Sequence, residues 1–397
     1  MTAEFDAIIV GGGPAGASAG VHLAASGARV LLAERERFPR EKLCGEFISP
    51  ECLEHFARLG VLEEMGRGGG ARVSETVFYA PSGRGVSVPS AWFGGHEGDA
   101  LGLSRAEMDA RLLARAREAG VRVIEDAALA ALVVEGGGVR GVRLHSAGGV
   151  VREFRARVTL DATGRHRAVV RRAEREMGRE GNGRRDGRES LVAFKAHLEG
   201  ARGAEGVCEI YFYPGGYGGL SPVEGGLSNL CFIARARDVR RCESDPERVL
   251  REVLMRNRRA SEALKDARAK TRWLGVSLEG FGRHEPAPFE GLLAVGDAAA
   301  FIDPFTGSGM LMALEGGELA ARAVSNWLAP GVEDFATLAR AYRAAYASHF
   351  DARLRLCGLL RRAALAPTAL AEVSVVALGA SASLRRRLAR STRGRAA

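Results

Sequence analysis

Residues 6–34 read DAIIVGGGPAGASAGVHLAASGARVLLAE, and this stretch decides the fold. Its apolar start predicts a strand that runs into the pattern Gly11-x-Gly13-x-x-Gly16, followed by a helix and by a second strand that ends in Glu34. In such a unit the first glycine forms a tight turn, the second lets backbone N–H groups approach a pyrophosphate, and the third lets the helix pack on the strands. The pattern predicts the phosphate-binding part of a doubly wound nucleotide fold.

Glu34 stands where a carboxylate accepts hydrogen bonds from both hydroxyls of a ribose. The same charge would repel a 2′-phosphate, which argues against NADP at this position. The helix that begins near Pro14 would direct the positive end of its dipole at the phosphates. A glycine-rich loop without a ligand is the alternative, but it leaves the flanking strand, helix and acid unexplained.

The chain of 397 residues carries a net charge of +9 and is long enough for one large domain or two intertwined ones. Only four of its 57 basic residues are lysines, and the arginines are interleaved with aspartate and glutamate. No alternation of basic and aromatic residues accompanies them, so we expect no nucleic-acid partner. The arginine-rich stretches 165–188 and 385–395 are interpreted as solvated surface.

The six cysteines lie far apart without a Cys-x-x-Cys pair, and the eight histidines show no ligand spacing. We therefore expect neither a metal site nor a disulfide framework. The sequence begins directly with the first predicted strand, from which we expect no signal peptide. No run of about 18 uncharged apolar residues predicts a membrane-spanning helix. A cytoplasmic location is expected, and the oligomeric state is not predicted.

The remaining sequence predicts alternating blocks of strands and helices. Ser104 is expected to cap a helix that reaches Glu118, with Glu107 completing a capping box. Further predicted helices cover 51–59, 246–256, 310–328 and an arginine-rich tail from 335 that is interrupted at Pro367. Strands are predicted over 73–80, 85–93 and 292–295, and as four runs within 191–235. Residues 121–161 are expected to form a three-stranded meander inserted before a separate strand over 157–160. Residues 165–190 show almost no apolar periodicity and are expected to form a long exposed excursion.

Four blocks follow one another in a fixed order: the glycine pattern with Glu34, Arg105 at a helix start, Asp161-x-x-Gly164, and Gly296-Asp297. Over about residues 5–330 they resemble the flavoprotein family built like para-hydroxybenzoate hydroxylase, in the branch that contains geranylgeranyl reductases and flavin-dependent halogenases. The resemblance implies an α/β (α+β overall) fold. A Rossmann-like FAD-binding domain (1–72, 101–165 and 285–330) would be interleaved with a β-rich substrate-binding cap (73–100 and 190–284) and followed by a helical C-terminal tail (331–397).

The resemblance also implies where an extended FAD would lie. The glycine pattern would cradle the pyrophosphate, Glu34 would hold the adenosine ribose, Arg105 would contact the cofactor, and Asp297 would bond the ribityl chain. The loop at 307–309 would bring backbone N–H groups to the flavin, and the helix that starts there favours the negative charge of reduced flavin. The implied cofactor residues are Gly11, Gly13, Pro14, Ala15, Gly16, Glu34, Arg35, Lys42, Cys44, Arg105, Asp161, Gly164, Gly296, Asp297, Gly307, Ser308 and Gly309.

One further block concerns the reaction. Lys42-x-Cys44-Gly45 resembles the Lys-x-Cys-Gly segment of geranylgeranyl reductases, in which the cysteine lies close to the flavin and the reacting double bond. The resemblance therefore implies a catalytic role for Cys44. Glu46 follows where those reductases commonly have another glycine. The alternative is that Cys44 is only a small buried residue.

Residues 211–222 line up with the cap strand of the same reductases but lack the aromatic residue and the lysine that are usual near its end. We expect a substrate pocket lined by Tyr211, Tyr213, Tyr217 and Phe305. Halogenases carry a Trp-x-Trp-x-Ile-Pro block, whereas the three tryptophans of this chain are isolated at 92, 273 and 327. Halogenation is therefore not expected.

These observations favour an FAD-dependent oxidoreductase that reduces carbon–carbon double bonds of an apolar, isoprenoid or lipid-like substrate. The main alternative is a monooxygenase that hydroxylates an aromatic, quinone-like or polyketide substrate, with Glu46 or His96 as the candidate base. A non-catalytic flavin-binding protein is the minor alternative. The expected external reductant is NAD(P)H or a reduced electron carrier.

The tail alternates arginines with apolar runs, a composition that suits the surface of an anionic bilayer. We therefore expect peripheral contact with the inner face of a membrane. In the alternative interpretation, the tail helices simply pack on the nucleotide domain with their arginines outward.

Overall fold

The computed structural model describes residues 3–94, 98–145, 148–178, 190–330, 334–365 and 368–391, so His96 and Pro367 lie outside the described residues. In chain order its strands are β1 (Phe5–Val10), β2 (Val30–Ala33), β3 (Phe47–Ile48), β4 (Ala71–Val73), β5 (Glu75–Tyr79), β6 (Gly85–Pro89), β7 (Ala100–Gly102), β8 (Arg122–Ile124), β9 (Ala128–Glu135), β10 (Gly138–His145), β11 (Val151–Asp161), β12 (Leu191–Glu199), β13 (Val207–Tyr213), β14 (Gly216–Pro222), β15 (Ser228–Arg235), β16 (Arg268–Ala269), β17 (Leu274–Leu278), β18 (Gly282–Arg283), β19 (Leu292–Ala294) and β20 (Ala300–Phe301). Its α-helices are α1 (Pro14–Ala25), α2 (Pro50–Leu59), α3 (Leu62–Arg67), α4 (Arg105–Glu118), α5 (Ala168–Glu176), α6 (Ala236–Arg241), α7 (Pro246–Glu252), α8 (Arg258–Leu264), α9 (Gly309–Leu328), α10 (Phe335–Ala364), α11 (Thr368–Gly379) and α12 (Ala382–Ser391).

The first sheet contains five parallel strands in the order β8-β2-β1-β11-β19. Their register places Ile9 beside both Leu32 and Leu160. The residues of β2 and β19 are all buried, as is typical of parallel strands that are covered on both faces. This sheet, with α1 joining β1 to β2, confirms the predicted Rossmann-like unit.

Strand β11 belongs to two layers. Its residues 156–161 join the parallel sheet, whereas residues 151–155 pair antiparallel with β10, which in turn pairs with β9. The predicted three-stranded meander is present as β9, β10 and the first part of β11. The separate strand predicted over 157–160 is wrong, because β11 continues without a break into the parallel sheet.

Helix α1 lies close both to the turn that precedes it and to helix α9. A Cβ at Gly16 would lie 1.9 Å from the carbonyl oxygen of Gly11, and a Cβ at Gly317 would lie 2.4 Å from that of Ala15. Only glycine permits such approaches. The third glycine of the pattern therefore serves packing, as its position predicts.

Helix α4 begins as predicted. The hydroxyl of Ser104 accepts a hydrogen bond from the amide of Glu107 at 3.2 Å. The capping box also predicts a hydrogen bond from the amide of Ser104 to the side chain of Glu107, and this prediction is wrong. The amide of Ser104 donates to Glu224 instead, and Glu107 pairs with Arg111.

The second sheet has the order β16-β12-β15-β14-β13-β5-β6, with β17 also paired to β12. Strands β5 and β13 run parallel, and the other neighbours are antiparallel. Strands β12 to β15 are the four that the sequence predicts within 191–235. The domain boundaries given above stay predictions.

Two expectations about helices are wrong. The exposed excursion expected over 165–190 is wrong for residues 165–178, because α5 lies within them and buries Val169, Val170 and Ala173. Residues 179–189 lie outside the described part of the chain. These three apolar side chains are enough to hold a short helix, although they are too few to show a clear period. The helix predicted over 246–256 is α7 followed by a separate 3-10 turn at 254–256.

The tail divides between two layers. Helix α10 packs on α9, where the buried Arg353 donates to both carboxylate oxygens of Glu315. Helices α11 and α12 instead pack on β6 and on the turn at 90–93, so the alternative of a tail packed entirely on the nucleotide domain is wrong. Within the described ranges no single helix is long and apolar enough to cross a membrane; the pair Phe335–Ala364 and Ala369–Gly379 meets those criteria only together, across a bend of 118°.

Candidate cofactor and substrate site

A cavity of about 950 Å³ lies between the two large sheets. One end is lined by Gly11, Gly13 and Glu34, where the parallel strands end, and the other by residues of β5, β6, β13, α11 and α12. The carboxyl ends of strands are where open α/β sheets bind their ligands. The cavity therefore joins a nucleotide-type site to an apolar chamber. We refer to its two parts as the cofactor end and the substrate end.

The glycine pattern leaves space for a ligand at the start of α1. Gly11 has φ +110°, and a Cβ there would lie 2.3 Å from the carbonyl oxygen of Ala162. At Gly13 a Cβ would meet nothing closer than 3.8 Å, where the guanidinium groups of Arg40 and Arg105 lie. Gly13 is also the N-cap of α1 and offers no side chain to its first N–H groups. These groups therefore remain available to an anion.

Glu34 is held in place at the cofactor end by two backbone amides. Its Oε2 accepts a hydrogen bond from Gly12 at 2.7 Å, and its Oε1 accepts one from Glu36 at 3.0 Å. Each carboxylate oxygen can accept a second hydrogen bond. Glu34 and its neighbour Arg35 both line the cavity, so the carboxylate can also receive ribose hydroxyls.

Two arginines share one buried carboxylate beside the glycine pattern. Arg105 donates to Asp109 through Nε at 2.9 Å and Nη2 at 2.7 Å, and Arg40 donates to the same carboxylate at 2.9 Å. Burial opposes the charge of Arg105, but the carboxylate of Asp109 outweighs burial and raises the arginine pKa above its ordinary value. Both arginines line the cavity and together carry one more positive charge than Asp109 neutralises. This arrangement suits a pyrophosphate.

Asp297 follows β19 and lines the cavity. Burial raises the pKa of its carboxyl, whereas Arg105, Lys42 and Arg165 act to lower it. In the part of the chain that the structure describes, we find no hydrogen-bond donor paired with this carboxylate. An acceptor that faces the cavity without a partner fits the hydroxyls of a ribityl chain.

The loop before α9 brings backbone groups to the cavity. Asp303 accepts a hydrogen bond from the amide of Phe305 at 3.0 Å, which fixes the turn, and Gly307 adopts φ +60°. Phe305, Gly307 and Gly309 line the cavity, and α9 starts at Gly309. A negative charge at this point would face the N-terminal end of a 20-residue helix.

Four predicted cofactor residues do not line the cavity: Gly16, Asp161, Gly296 and Ser308. Asp161 was expected to contact the cofactor, but its carboxylate accepts hydrogen bonds from Thr163 and from the amide of Val170, so it orders the start of α5. Gly296 serves packing, since a Cβ there would lie 2.8 Å from that of Ala15. Ser308 is buried between two lining glycines, whereas Gly164, Pro14 and Ala15 do line the cavity.

Cys44 lies between the cofactor end and the cap. The amide of Glu46 donates a hydrogen bond to its Sγ at 3.5 Å, and its carbonyl oxygen accepts a hydrogen bond from Asn229 of β15 at 3.0 Å. Burial raises the pKa of the thiol, although Arg105 acts in the opposite direction. The thiol is therefore protonated near neutral pH. Lys42, two residues earlier, has its pKa lowered to about 8 by burial and by the nearby arginines.

Glu46 is the centre of a buried ion-pair network. Its Oε1 accepts hydrogen bonds from the Lys195 ammonium and the Arg105 amide, each at 2.9 Å, and its Oε2 lies 2.6 Å from His197 Nε2. Lys195 also binds Glu41. Glu41, Glu46 and His197 are close enough together to form a metal-ligand set, but the ammonium already binds both carboxylates.

The backbone at Glu46 has φ +54°, in the left-handed region that favours glycine. In this chain Glu46 adopts that conformation within the buried ion-pair network.

The prediction that Tyr211, Tyr213 and Tyr217 line the substrate pocket is wrong. Side chains alternate along a strand, and on β13 it is Ile210 and Phe212 that line the cavity. Tyr211 and Tyr213 point to the other face, where their hydroxyls donate to Glu209 and to the carbonyl oxygen of Tyr217. Tyr217 donates to Asp303 and packs edge-on against Phe305, the one member of the predicted set that lines the cavity.

Sequence reasoning missed Arg40, Asp109, Lys195 and His197. A signal for Asp109 existed, because it stands four residues after Arg105 on a predicted helix. Lys195 and His197 stand two apart on a predicted strand and thus share a face. Their partner Glu46 precedes His197 by 151 positions, and no local pattern reports such a pairing.

Residues 4–325 match the protein family described as FAD binding domain. The chain is 31% identical over 333 residues to digeranylgeranylglycerophospholipid reductase 2 of Methanopyrus kandleri, which covers 81% of this chain and 78% of that protein. It is 26% identical over 393 residues to menaquinone reductase of Mycolicibacterium smegmatis, which covers 91% of this chain and 85% of that one.

Among solved structures, a triple mutant of the flavin-dependent brominase Bmp2 superposes with a TM-score of 0.80. The alignment covers 97% of this chain and 94% of the brominase at 21% sequence identity. Identity this low supports a shared fold and says nothing about a shared reaction.

Proposed function

Because the chain belongs to the FAD-binding family, in its geranylgeranyl reductase-like branch, and is an FAD-dependent oxidoreductase, we propose that it reduces carbon–carbon double bonds of an isoprenoid or lipid-like substrate. Reduced FAD, when bound, supplies a hydride. The observation that carries the proposal is the position of Cys44, a protonated thiol in the wall of a cavity whose far end is apolar.

We assign the cofactor to the end of the cavity lined by the glycine pattern. The free N–H groups at the start of α1 and the two arginines on Asp109 would hold the pyrophosphate. Glu34 would accept hydrogen bonds from the ribose, and Asp297 from the ribityl chain. The N-terminal end of α9 would face the flavin. Each of these groups has unused hydrogen-bonding capacity directed at the cavity, which supports the assignment.

Reduction of a double bond adds one hydride and one proton, and Cys44 is the candidate proton donor. Its thiol is neutral because burial raises the pKa. After the thiol gives its proton to the second alkene carbon, the thiolate left behind would be stabilised by the guanidinium of Arg105. A proton from solvent restores the thiol. The chain therefore contributes a proton at Sγ and a fixed cation beside it.

The substrate end of the cavity is built from apolar side chains. They come from the cap sheet and the tail helices and include Val86, Val88, Phe212, Val375, Leu378 and Leu388. A long hydrocarbon chain gains free energy from such a wall in proportion to the area it buries. The two curated relatives are named as reductases of a geranylgeranyl lipid and of menaquinone, and both names support an apolar substrate here.

The alternative monooxygenase needs a base to remove a phenolic proton from its substrate. Of the two candidates, His96 lies outside the described residues, and Glu46 faces the cavity. The carboxylate of Glu46 already accepts hydrogen bonds from Lys195 and the Arg105 amide and contacts His197, so both of its oxygens are engaged within the protein. The reductase is therefore favoured over the hydroxylase.

An anaerobic reoxidation experiment tests the proposal. The flavin is reduced photochemically without oxygen, and unsaturated isoprenoid lipids or phenolic compounds are then added in separate samples. We expect the isoprenoid to reoxidise the flavin and to appear as a product two mass units heavier per reduced bond. Reoxidation only after oxygen is admitted, with incorporation of one oxygen atom into a phenol, would support the monooxygenase instead.

We further propose that the reductant is NAD(P)H or a reduced electron carrier. Mixing the oxidised protein anaerobically with NADH, NADPH or a reduced ferredoxin distinguishes these donors by the rate at which the flavin absorbance falls.

A further inference from the structure

Helices α11 and α12 cover the substrate end of the cavity, and we call these two helices the roof. Ala371, Val375 and Leu378 of α11 line the cavity, and so do Leu384 and Leu388 of α12. The roof also binds the cap directly, because Glu372 accepts hydrogen bonds from the amide and hydroxyl of Ser82, both at 2.8 Å. The roof is thus an integral wall of the cavity.

The outer side of the roof is unusually apolar. Leu370, Val373 and Val376 stand three residues apart on α11 and are 54%, 64% and 47% exposed. Leu359 at the end of α10 and Leu384 on α12 are 59% and 43% exposed. In the described chain the other large apolar side chains exposed to this degree are Val150 and Val151, at the start of β11, and Val134 on β9 is 37% exposed. Exposed apolar residues are therefore concentrated where the cavity is covered.

The exposed charges of the roof are of one sign. Arg386, Arg387 and Arg390 of α12 are exposed, and α12 contains no acidic residue. The acidic residue of α11, Glu372, is engaged with Ser82. Exposed apolar side chains beside arginines, without acids, match a surface that is anionic above and hydrocarbon below.

Leu384 connects the two sides of the roof. Of the five exposed apolar residues named above for α10, α11 and α12, it alone also lines the cavity, and it is 43% exposed. A hydrocarbon chain that enters beside Leu384 would remain in contact with apolar atoms from outside to inside.

We propose that the roof docks on the surface of an anionic lipid bilayer and that a lipid chain passes from the bilayer into the cavity beside Leu384. The proposal rests on the proposed function to the extent that the substrate is lipid-like. The docking itself needs only the roof and the bilayer. Its recognition elements are the apolar row Leu370–Val373–Val376 and the arginines of α12.

Vesicle flotation tests the docking with a matched pair of variants. Val376 and Val151 are both 47% exposed, but only Val376 belongs to the roof. With vesicles of phosphatidylcholine and 30% phosphatidylglycerol, we expect Val376→Asp to weaken binding about tenfold. Val151→Asp should bind like the unmodified protein. Arg386→Glu with Arg387→Glu should weaken binding to the anionic vesicles by more than tenfold and leave the residual binding to pure phosphatidylcholine unchanged.

A failure to float with anionic vesicles would overturn the docking, and so would equal losses in Val376→Asp and Val151→Asp. Sedimentation provides a second check, because a dimer that Val376→Asp dissociates would show that a second copy covers the roof. All variants are required to retain flavin absorbance, so that loss of the fold is not taken for loss of docking.

Turnover separates this proposal from the proposed function. A short isoprenoid alcohol that dissolves in water should be reduced equally well by the unmodified protein and by Val376→Asp. An isoprenoid lipid embedded in anionic vesicles should be reduced about tenfold more slowly by the variant. If neither substrate is reduced although the protein floats, the proposed function fails and the docking stands. If the soluble alcohol is reduced but flotation is absent, the docking fails and the reductase stands.

Discussion

The ammonium of Lys195, on the first long strand of the cap sheet, lies 2.9 Å from Oε1 of Glu46, in the loop that carries Cys44. Lys195 is 1% exposed and Glu46 is fully buried. The pair therefore links β12 of the second sheet to the loop that carries Cys44. Because both partners are buried, removing either one would leave the other without a compensating charge in the interior.

Replacement of Glu46 by Gln should destabilise the protein by about 3 kcal/mol, because it leaves a buried ammonium without one of its two carboxylates. Urea unfolding measures the loss. Replacement of Lys195 by Met in the same chain should recover part of it, since the uncompensated charge is then removed. Losses that simply add in the double variant would contradict the proposed interdependence of this pair.

Glu34→Ala and Asp297→Ala should each weaken FAD binding about tenfold to hundredfold, because a charge-assisted hydrogen bond is worth about 1.5–3 kcal/mol. Flavin fluorescence during titration of the apoprotein gives the dissociation constants. Asp245→Ala serves as the control, since Asp245 only caps α7 in the cap. It should lose about 1 kcal/mol of stability and bind FAD normally. Normal FAD affinity in both cavity variants would contradict the assigned position of the cofactor.

Cys44→Ala should retain FAD and lose turnover by a factor of about 10²–10⁴, the range typical for removal of a positioned acid. Cys242 is also buried but does not line the cavity, so Cys242→Ala should keep the turnover of the unmodified protein. Steady-state rates with an isoprenoid substrate provide the comparison. Unchanged turnover in Cys44→Ala would return Cys44 to a structural role.

The affinity for FAD should fall as the pH rises through about 8, the pKa of Lys42, because the lysine then loses a charge that attracts the anionic cofactor. Titrations between pH 7 and 9.5 should show this fall in the unmodified protein and a flat profile in Lys42→Met. The same shift affects the stability of the apoprotein. The pKa is lower in the folded state than the 10.5 of a free lysine, so between about 8 and 10.5 the unfolded chain binds more protons and stability rises with pH.

Substitutions on β13 should separate its two faces. Phe212→Ala removes a cavity wall and should raise KM for an apolar substrate about tenfold. Tyr211→Phe should leave KM unchanged and cost about 1 kcal/mol of stability, because it removes the hydrogen bond to Glu209. A change of KM in Tyr211→Phe alone would contradict the observed register.

Local patterns predicted well those parts of the protein that local rules determine. The unit from β1 to β2, the N-cap Ser104 and the four strands within 191–235 follow from glycine spacing, capping and alternation, all of which act over a few residues. The direction of Tyr211 did not follow, because alternation specifies two faces but not which of them meets the cavity. Arg40 could not be assigned to Asp109 for a similar reason, since contacts between distant segments depend on the completed fold.

The walls of the cavity are supplied by widely separated parts of the polypeptide. The cofactor end uses residues from Val10 to Ala313, whereas the roof uses residues from Ala371 to Ala389. The residues of the cofactor end therefore all precede those of the roof along the chain, so the covering wall of the substrate end is the last part of the cavity to be synthesised.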